Sequence, residues 1–187
     1  GNVIEKAQQF GVEVDSAQTQ EVLEQIKQME AKGFTYEGAD ASLELMLRRA
    51  QPSYVPPFEL LDFMVLVERR RGRGLLAEAT VKVRVGPKIV HTAAEGNGPV
   101  NALDAALRKA LMDVHPGLAN VKLADYKVRI LDGDKATGAT TRVLIDTKDG
   151  PHHWSTVGAS TNIIEASWRA LADSMEYALL HKADRRR

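Results

Sequence analysis

The first fifty residues place apolar side chains at the spacing of an amphipathic helix. Apolar residues recur three and four positions apart in three successive segments. Gly11 and Gly33 follow the first two segments, at the position where helices often end. Three prolines within 52–57 then prevent the helical pattern from continuing. The pattern predicts a helical linker segment over 1–52, with helices at about 3–10, 15–32 and 40–49.

Beyond Pro57 the apolar spacing changes from the period of a helix toward the period of a strand. The order strand, strand, strand, helix is then predicted twice, which indicates an internal duplication. The first repeat has predicted strands at 58–70, 75–85 and 88–94 and a helix at 99–114. The second has predicted strands at 121–131, 139–148 and 153–157 and a helix at 161–182. Because short turns join neighbouring strands in antiparallel order, we predict an α+β fold in which the helical linker segment precedes a duplicated β-β-β-α domain over 58–187, with antiparallel sheets.

Composition narrows the classes of function. Of the 187 residues, 25 are basic and 25 are acidic, so the chain lacks the basic excess of a dedicated nucleic-acid binder. It has no cysteine, which excludes a disulfide framework, a thiolate zinc site and a cysteine nucleophile. The longest apolar run, 63–67, is far shorter than the roughly 20 residues of a membrane-spanning helix. We expect a cytoplasmic protein with neither nucleic acid nor membrane as a partner. The chain begins with Gly1 instead of methionine, and we expect it to be a piece of a longer protein.

The side chains that usually carry catalysis or bind metals are scattered along the sequence. His152 and His153 are adjacent and point to opposite faces of a strand, and the other three histidines lie on different predicted elements. No nucleophile is spaced with a base that would activate it. Arginine clusters at 69–73 and 185–187 have no interleaved aromatic residues, so we interpret them as a solvated turn and terminus. The sequence predicts no catalytic residue and no metal ligand in this chain.

Two glycine-led loops, at 96–102 and 158–166, join the third strand of each repeat to its helix. Such a turn presents free backbone N–H groups beside the positive end of the helix dipole, where a carboxylate or phosphate binds well. The first loop lacks the third glycine of a dinucleotide fingerprint, so a nucleotide site is not favoured. An equally open interpretation is that the glycines only form tight turns, with Ser160 or Thr161 as a helix N-cap.

Several joined motifs then indicate a family. HTAAEGNGPVNALD at 91–104, DYKVR at 125–129 and TVGASTNIIEASW at 156–168 resemble the C-terminal regulatory domain of the 2-isopropylmalate synthase and citramalate synthase family. The helical start, with GFTYE at 33–37 and ASLEL at 41–45, is similar to the linker subdomain of the citramalate synthase branch. The resemblance covers about 58–182 and favours that branch.

The resemblance implies a parent enzyme, an acyltransferase that condenses acetyl-CoA with a 2-keto acid and converts the acyl group into an alkyl group on transfer. The keto acid is pyruvate for citramalate synthase and 2-ketoisovalerate for 2-isopropylmalate synthase. The reaction takes place in an N-terminal catalytic barrel that holds a divalent metal, and such a barrel needs about 250 residues. We therefore expect this chain to be a regulatory fragment, with no catalysis and no cofactor of its own, attached to such a barrel.

The resemblance also implies a homodimer that binds an amino-acid effector, isoleucine in the favoured branch and leucine in the other. A zwitterionic branched-chain amino acid needs N–H donors, oxygen acceptors and an apolar slot. The predicted effector-binding residues of the two loops, which supply donors and carbonyls, are Gly96, Asn97, Gly98, Pro99, Val100, Gly158, Ala159, Ser160 and Thr161. The predicted slot residues, on the strands nearby, are Leu123, Tyr126, Ile130 and Val143.

Two alternatives remain open at this point. One is a ligand-free structural dimerisation module of the same enzyme family, which large side chains along the loops would favour. The small residues of both loops instead leave room for a ligand. The other is a free-standing enzyme, against which the scattered placement of histidines and nucleophiles counts.

Overall fold

The computed structural model describes residues 2–13, 15–31, 36–131 and 139–185. Three helices come first, α1 (Asn2–Gln9), α2 (Ser16–Ala31) and α3 (Asp40–Arg49). The first repeat contains β1 (Glu59–Arg70), β2 (Gly74–Val85), β3 (Lys88–Gly96) and α4 (Pro99–Leu111). After a 3-10 helix (Pro116–Asn120), the second repeat contains β4 (Lys122–Leu131), β5 (Thr140–Asp149), β6 (His152–Ser160) and α5 (Ile163–Arg185). The predicted fold class is confirmed.

The six strands form two three-stranded antiparallel sheets, in the orders β1-β2-β3 and β4-β5-β6. In the first sheet, the pairs Val65–Ala79 and Val81–Thr92 fix the register. Each sheet is followed by a helix, as the duplication predicts. Both sheets therefore have two edge strands, and β6 is an edge strand of the second.

The duplication is regular where β3 meets α4 and β6 meets α5. β6 begins and ends 64 residues after β3, and α5 begins 64 residues after α4. The same hydrogen bond recurs at this offset, because Thr92 donates to Ala106 O at 2.8 Å and Thr156 donates to Ala170 O at 2.7 Å. The structural counterpart of Gly96 is therefore Ser160, whereas the two glycine-led loops suggested Gly158.

The chain divides into two compact units, each made of noncontiguous segments. The first unit consists of Gly1–Pro56, Leu123–Thr147 and His152–Tyr177. The second unit consists of Pro57–Lys122, Lys148–Pro151 and Ala178–Arg187. The division predicted from the sequence, at 52–58, stays a prediction.

The first unit buries one face of its helices together. Val22 and Leu47 are fully buried and pack in one cluster with Val3, Ala7 and Leu43. The helix α3 also contacts β6. Because α3 packs on both sides, Ser42 and Glu44 are buried along with its leucines, which is unusual for polar side chains.

The second unit places α4 against one face of the first sheet. Alternate residues of β2 on that face, including Ala79, Val81 and Val83, are fully buried, as are Leu103 and Leu107 of α4. The opposite face of the sheet is open. It exposes three large apolar side chains, Met64, Leu66 and Ile89.

Candidate functional site

The predicted residues 96–100 lie where β3 ends and α4 begins. Gly98 is the N-cap of α4, its φ of −169° is extended, and it offers no side-chain cap to the helix. Pro99 occupies the first turn, where its missing N–H costs nothing. The N–H of Asn97 donates to Asn101 Oδ1 at 3.2 Å. The N-cap of α4 thus provides no side-chain acceptor for the first turn, and first-turn N–H groups of such a helix are available to another acceptor.

Gly96 itself is required for packing. A Cβ built at Gly96 would lie 2.5 Å from the backbone nitrogen of Ala102 and 2.5 Å from Asn101 Oδ1. Both separations are far inside van der Waals contact, so a larger residue would push β3 away from α4. Gly98, in contrast, has nothing within 4 Å of an added Cβ. Of the two glycines, only Gly98 borders open space.

The predicted loop at 158–161 is different, because β6 continues through Ser160. Gly158, Ala159 and Ser160 therefore belong to a strand, where the sequence predicted a loop. A Cβ on Gly158 would collide with Ala166 O and lie 2.8 Å from Ala170 N. Gly158 therefore lets α5 pack directly against the backbone of β6.

The N-cap of α5 is neither Ser160 nor Thr161, so that prediction was wrong. Asn162 Oδ1 accepts hydrogen bonds from the N–H groups of Ile164 at 2.8 Å and Glu165 at 3.2 Å. Ser160 Oγ instead donates to Glu165 Oε2 at 3.0 Å. Two first-turn N–H groups of α5 thus already have a side-chain acceptor, whereas the N-cap of α4 provides none.

The predicted slot residues do not form a closed slot in the first unit. Tyr126 and Ile130 lie at alternate positions of β4 with Val128 between them, and all three are exposed, Ile130 to 69%. The Tyr126 hydroxyl is 2.9 Å from Ser167 Oγ on α5. Val143 is fully buried. The exposed side chains form an open apolar shelf, which we call the β4 shelf (Tyr126, Val128 and Ile130).

Leu123, the fourth predicted slot residue, is half-buried near the start of β4. The structure thus brings Tyr126 and Ile130 onto one shelf and leaves Val143 in the interior. The residues at 96–100 belong to the second compact unit, whereas the predicted residues at 123–161 belong to the first. Nothing observed here tests whether these residues bind an effector, and the assignment stays a prediction.

A polar cluster that the sequence did not predict lies in the first unit. We call it the Ser42 cluster, and it consists of Ser42, Arg49, Tyr54, Asp173 and Glu176. Arg49 Nη2 donates to Asp173 Oδ1 at 2.8 Å, and Arg49 Nε donates to Glu176 Oε2 at 2.9 Å. The Tyr54 hydroxyl donates to the same Glu176 oxygen at 2.8 Å. Ser42 Oγ is 2.9 Å from Asp173 Oδ2.

Burial sets the electrostatics of the Ser42 cluster. It raises the pKa of Asp173, although the Arg49 guanidinium and the Ser42 hydroxyl act in the opposite direction. Burial and the Glu176 carboxylate likewise raise the pKa of Tyr54. Burial, followed by the charge of Asp173, raises the pKa of nearby Tyr36 to about 12. Both tyrosines therefore stay protonated at neutral pH, and the Tyr54 hydroxyl serves as a hydrogen-bond donor.

A signal for this cluster exists in the sequence, but it is weak. Ser42 and Arg49 are seven residues apart, which places them on one face of α3, and Asp173 and Glu176 are three apart on α5. Helical spacing identifies each pair. It does not reveal that α3 and α5 face one another across more than 120 residues of sequence.

A cavity of about 500 Å³ adjoins the Ser42 cluster within the first unit. Its lining combines apolar side chains, such as Met29, Met46 and Val157, with charged ones, such as Arg49 and Asp173. Two of the predicted effector residues, Gly158 and Ala159, also line it. The arrangement places an edge of β6, the helix α3 and polar groups of α5 around one space.

The described residues hold no group of three or more histidine, aspartate or glutamate side chains placed to share a metal ion. Among the helices of the described ranges, none combines the length and the apolar character that a bilayer crossing requires.

Comparisons with known proteins agree on one family. The sequence profile of the LeuA allosteric (dimerisation) domain matches residues 37–179. The (R)-citramalate synthase of Geobacter sulfurreducens is 50% identical over 186 residues, which are 98% of this chain and 35% of that protein. The (R)-citramalate synthase of Aquifex aeolicus is 44% identical, over 96% of this chain and 34% of its own length. That of Sulfolobus acidocaldarius is 38% identical, over 95% and 33%. The chain spans about a third of the length of the curated relatives that it matches.

Proposed function

The chain belongs to the LeuA allosteric (dimerisation) domain family, and we propose that it is the feedback-regulatory domain of an (R)-citramalate synthase. The observation that carries this proposal is the match to (R)-citramalate synthases along nearly the whole chain. The parent enzyme is an acyltransferase that condenses acetyl-CoA with pyruvate in a separate barrel holding a divalent metal. The effector is isoleucine, the end product of the pathway that citramalate opens, with leucine as the next candidate.

Two groups of residues support an amino-acid effector. At the start of α4, Gly98 leaves the first-turn N–H groups without a side-chain cap, which suits a carboxylate. On the β4 shelf, Tyr126, Val128 and Ile130 offer an exposed apolar surface, which suits a branched aliphatic side chain. The two groups lie in different compact units, so they are two separate candidate locations, and each is tested by its own variant.

A second copy of the chain is the proposed partner, as the family description suggests. The open face of the first sheet supports this, because Met64, Leu66 and Ile89 are each more than half exposed. Large apolar side chains grouped on an open sheet face mark an interaction surface. We assign this face to the homodimer.

One specific observation favours the alternative of a ligand-free dimerisation module. Gly96 and Gly158 are needed for helix packing, so their small size does not by itself indicate a ligand. Val143 is also buried in the interior. The alternative keeps the dimer and removes the effector.

Isothermal titration of the chain with isoleucine, leucine and valine separates these possibilities. We expect saturable binding of isoleucine and weaker binding of leucine. Ile130→Ala should raise the isoleucine Kd about tenfold, because the β4 shelf loses apolar contact with the ligand. Val55→Ala is the matched control, since Val55 is 79% exposed and belongs to neither group of residues.

Gly98→Ala tests the other group of residues, because its Cβ would occupy the open space at the start of α4. Alanine adopts the extended φ of −169°, so the melting temperature should stay close to that of the unsubstituted chain while isoleucine binding at this location weakens. Silence from all three amino acids would reject the effector and leave the dimerisation module. Binding that neither Ile130→Ala nor Gly98→Ala weakens would reject both proposed locations.

A further inference from the structure

The outer edge of β6 is covered by side chains instead of another strand. β6 is an edge strand, so outward N–H and C=O groups of its buried residues need other partners. The N–H of Val157 donates to Ser42 Oγ at 2.9 Å. Two residues further on, Ala159 O accepts from Arg169 Nη1 at 2.9 Å. Helices α3 and α5 thus each hold one backbone group of this edge.

These contacts use the Ser42 hydroxyl both as a donor and as an acceptor. Its single hydroxyl proton goes to Asp173 Oδ2 at 2.9 Å, while its oxygen accepts from Val157. Asp173 is in turn held by Arg49 from the other end of α3. A displacement of β6 at Val157 cannot be absorbed by Ser42 alone. It must move α3 or break a buried hydrogen bond.

The hydrogen bond between Ser42 and Val157 lies next to predicted effector residues. Val157 directly precedes Gly158, Ala159, Ser160 and Thr161, which are predicted effector residues. Ser160 and Arg169 both contact Glu165, at 3.0 and 2.7 Å. The face of α3 and the start of α5 are therefore each hydrogen-bonded to the same stretch of β6, α3 at Val157 and α5 at Ala159 and Ser160.

We infer that Ser42 is a positioning residue that couples α3 to the effector state of β6. An effector that favours one arrangement of 158–161 favours the docked arrangement of α3, and by linkage a docked α3 favours the effector. The inference rests on the proposed function, because it names how effector binding is communicated from β6 to the helical segment.

The experiment measures amide hydrogen exchange on α3 with and without saturating isoleucine, and the isoleucine Kd of two serine variants. In the unsubstituted chain, isoleucine should slow exchange along 43–49. Ser42→Ala should abolish that slowing and raise the isoleucine Kd about fivefold, the lower range of measured coupling.

Ser155→Ala is the matched control. Ser155 lies on the same strand, and its hydroxyl donates to Asp146 on the neighbouring strand β5. It should leave the slowing intact and change the Kd less than about twofold.

The outcomes separate the inference from the proposed function. If isoleucine binds the unsubstituted chain and exchange along 43–49 does not change, the inference is overturned and the effector stands. Equal effects of Ser42→Ala and Ser155→Ala also overturn it. If none of the three amino acids binds, the effector proposal fails and the inference falls with it. The measurement on the unsubstituted chain stands even if Ser42→Ala fails to fold.

Discussion

At the scale of single residues, the glycines at the starts of α4 and α5 serve different purposes. Gly158 and Gly96 make room for a helix backbone, whereas Gly98 has open space around its Cα. None of these three has a positive φ. The sequence presents all three as loop glycines, and only the packing distinguishes them.

This difference predicts opposite outcomes for one substitution. Gly158→Ala should lower the free energy of unfolding by about 3 kcal/mol, near the upper range for overpacking, because the neighbours are backbone atoms that cannot rotate away. Gly98→Ala should change it by less than about 1 kcal/mol, since reduced chain entropy offsets a poorer N-cap. Urea denaturation of both variants measures the difference. Equal costs would contradict the account of Gly158.

The N-cap of α5 shows why residue roles were only partly predictable. Ser160, Thr161 and Asn162 are all good N-caps and stand in a row. Which one serves depends on where β6 ends, and that depends on how closely Gly158 lets α5 approach. Sequence pattern narrows the cap to three residues, while tertiary packing selects Asn162.

At the scale of elements, the order and type of the α-helices and strands in the described residues were predictable, but some ends and the 3-10 helix at Pro116–Asn120 were not. The spacing of apolar residues changes clearly at Pro57, so the transition from helices to strands is visible. The prediction ended β6 at 157, because GAS reads as a loop, yet the strand runs to Ser160. Local propensity failed there because side chains of α3 and α5 stabilise the strand edge from outside.

His115 connects two elements of the second unit and predicts a pH dependence. The His115 ring hydrogen-bonds to the backbone of Pro57, just before β1. The backbone N–H of His115 donates to Leu111 O at the end of α4. Burial lowers the pKa of His115, and the bond to Pro57 only partly opposes this. The folded chain therefore takes up the proton at a lower pH than the unfolded chain.

The sign follows from this difference in proton uptake. Stability contributed by neutral His115 is complete above the unfolded pKa of about 6.5 and is lost as pH falls through the lowered folded pKa. The free energy of unfolding should therefore decrease as the pH falls below about 6.5. His115→Gln should flatten this slope in urea titrations. An identical slope in the variant and the unsubstituted chain would contradict the assignment.

At the scale of the whole molecule, the fold class and the duplication were readable from the sequence, whereas the two compact units were not. Their segments are interleaved along the chain, with the helical segment grouped with parts of the second repeat. Only the boundary at Pro57 coincides with a visible change of pattern, because the other boundaries fall inside or beside β4, β5, β6 and α5. The motifs predict a set of candidate effector residues, and they do not reveal that these residues belong to two different units.

The homodimer is tested at this scale. Met64→Lys places a charge on the open face of the first sheet, where Met64 lies opposite Thr80. Burying an unpaired charge at an interface is costly, so the dimer Kd should rise about 30-fold or more, equivalent to about 2 kcal/mol. Sedimentation equilibrium measures it. Val55→Lys introduces the same charge at an exposed valine outside the sheet, and it should leave the dimer Kd unchanged. A dimer that tolerates Met64→Lys would move the interface elsewhere.

The covered edge of β6 has a consequence for any shortened form of the chain. Ser42 occupies the Val157 N–H that a neighbouring strand would otherwise pair with. Removing α3 would uncover a buried strand edge and turn it into a template for β-sheet growth from one copy to the next. Truncation past Asp40 should therefore lower solubility even where the remaining secondary structure is kept. In the intact chain, α3 protects this edge from pairing with another copy.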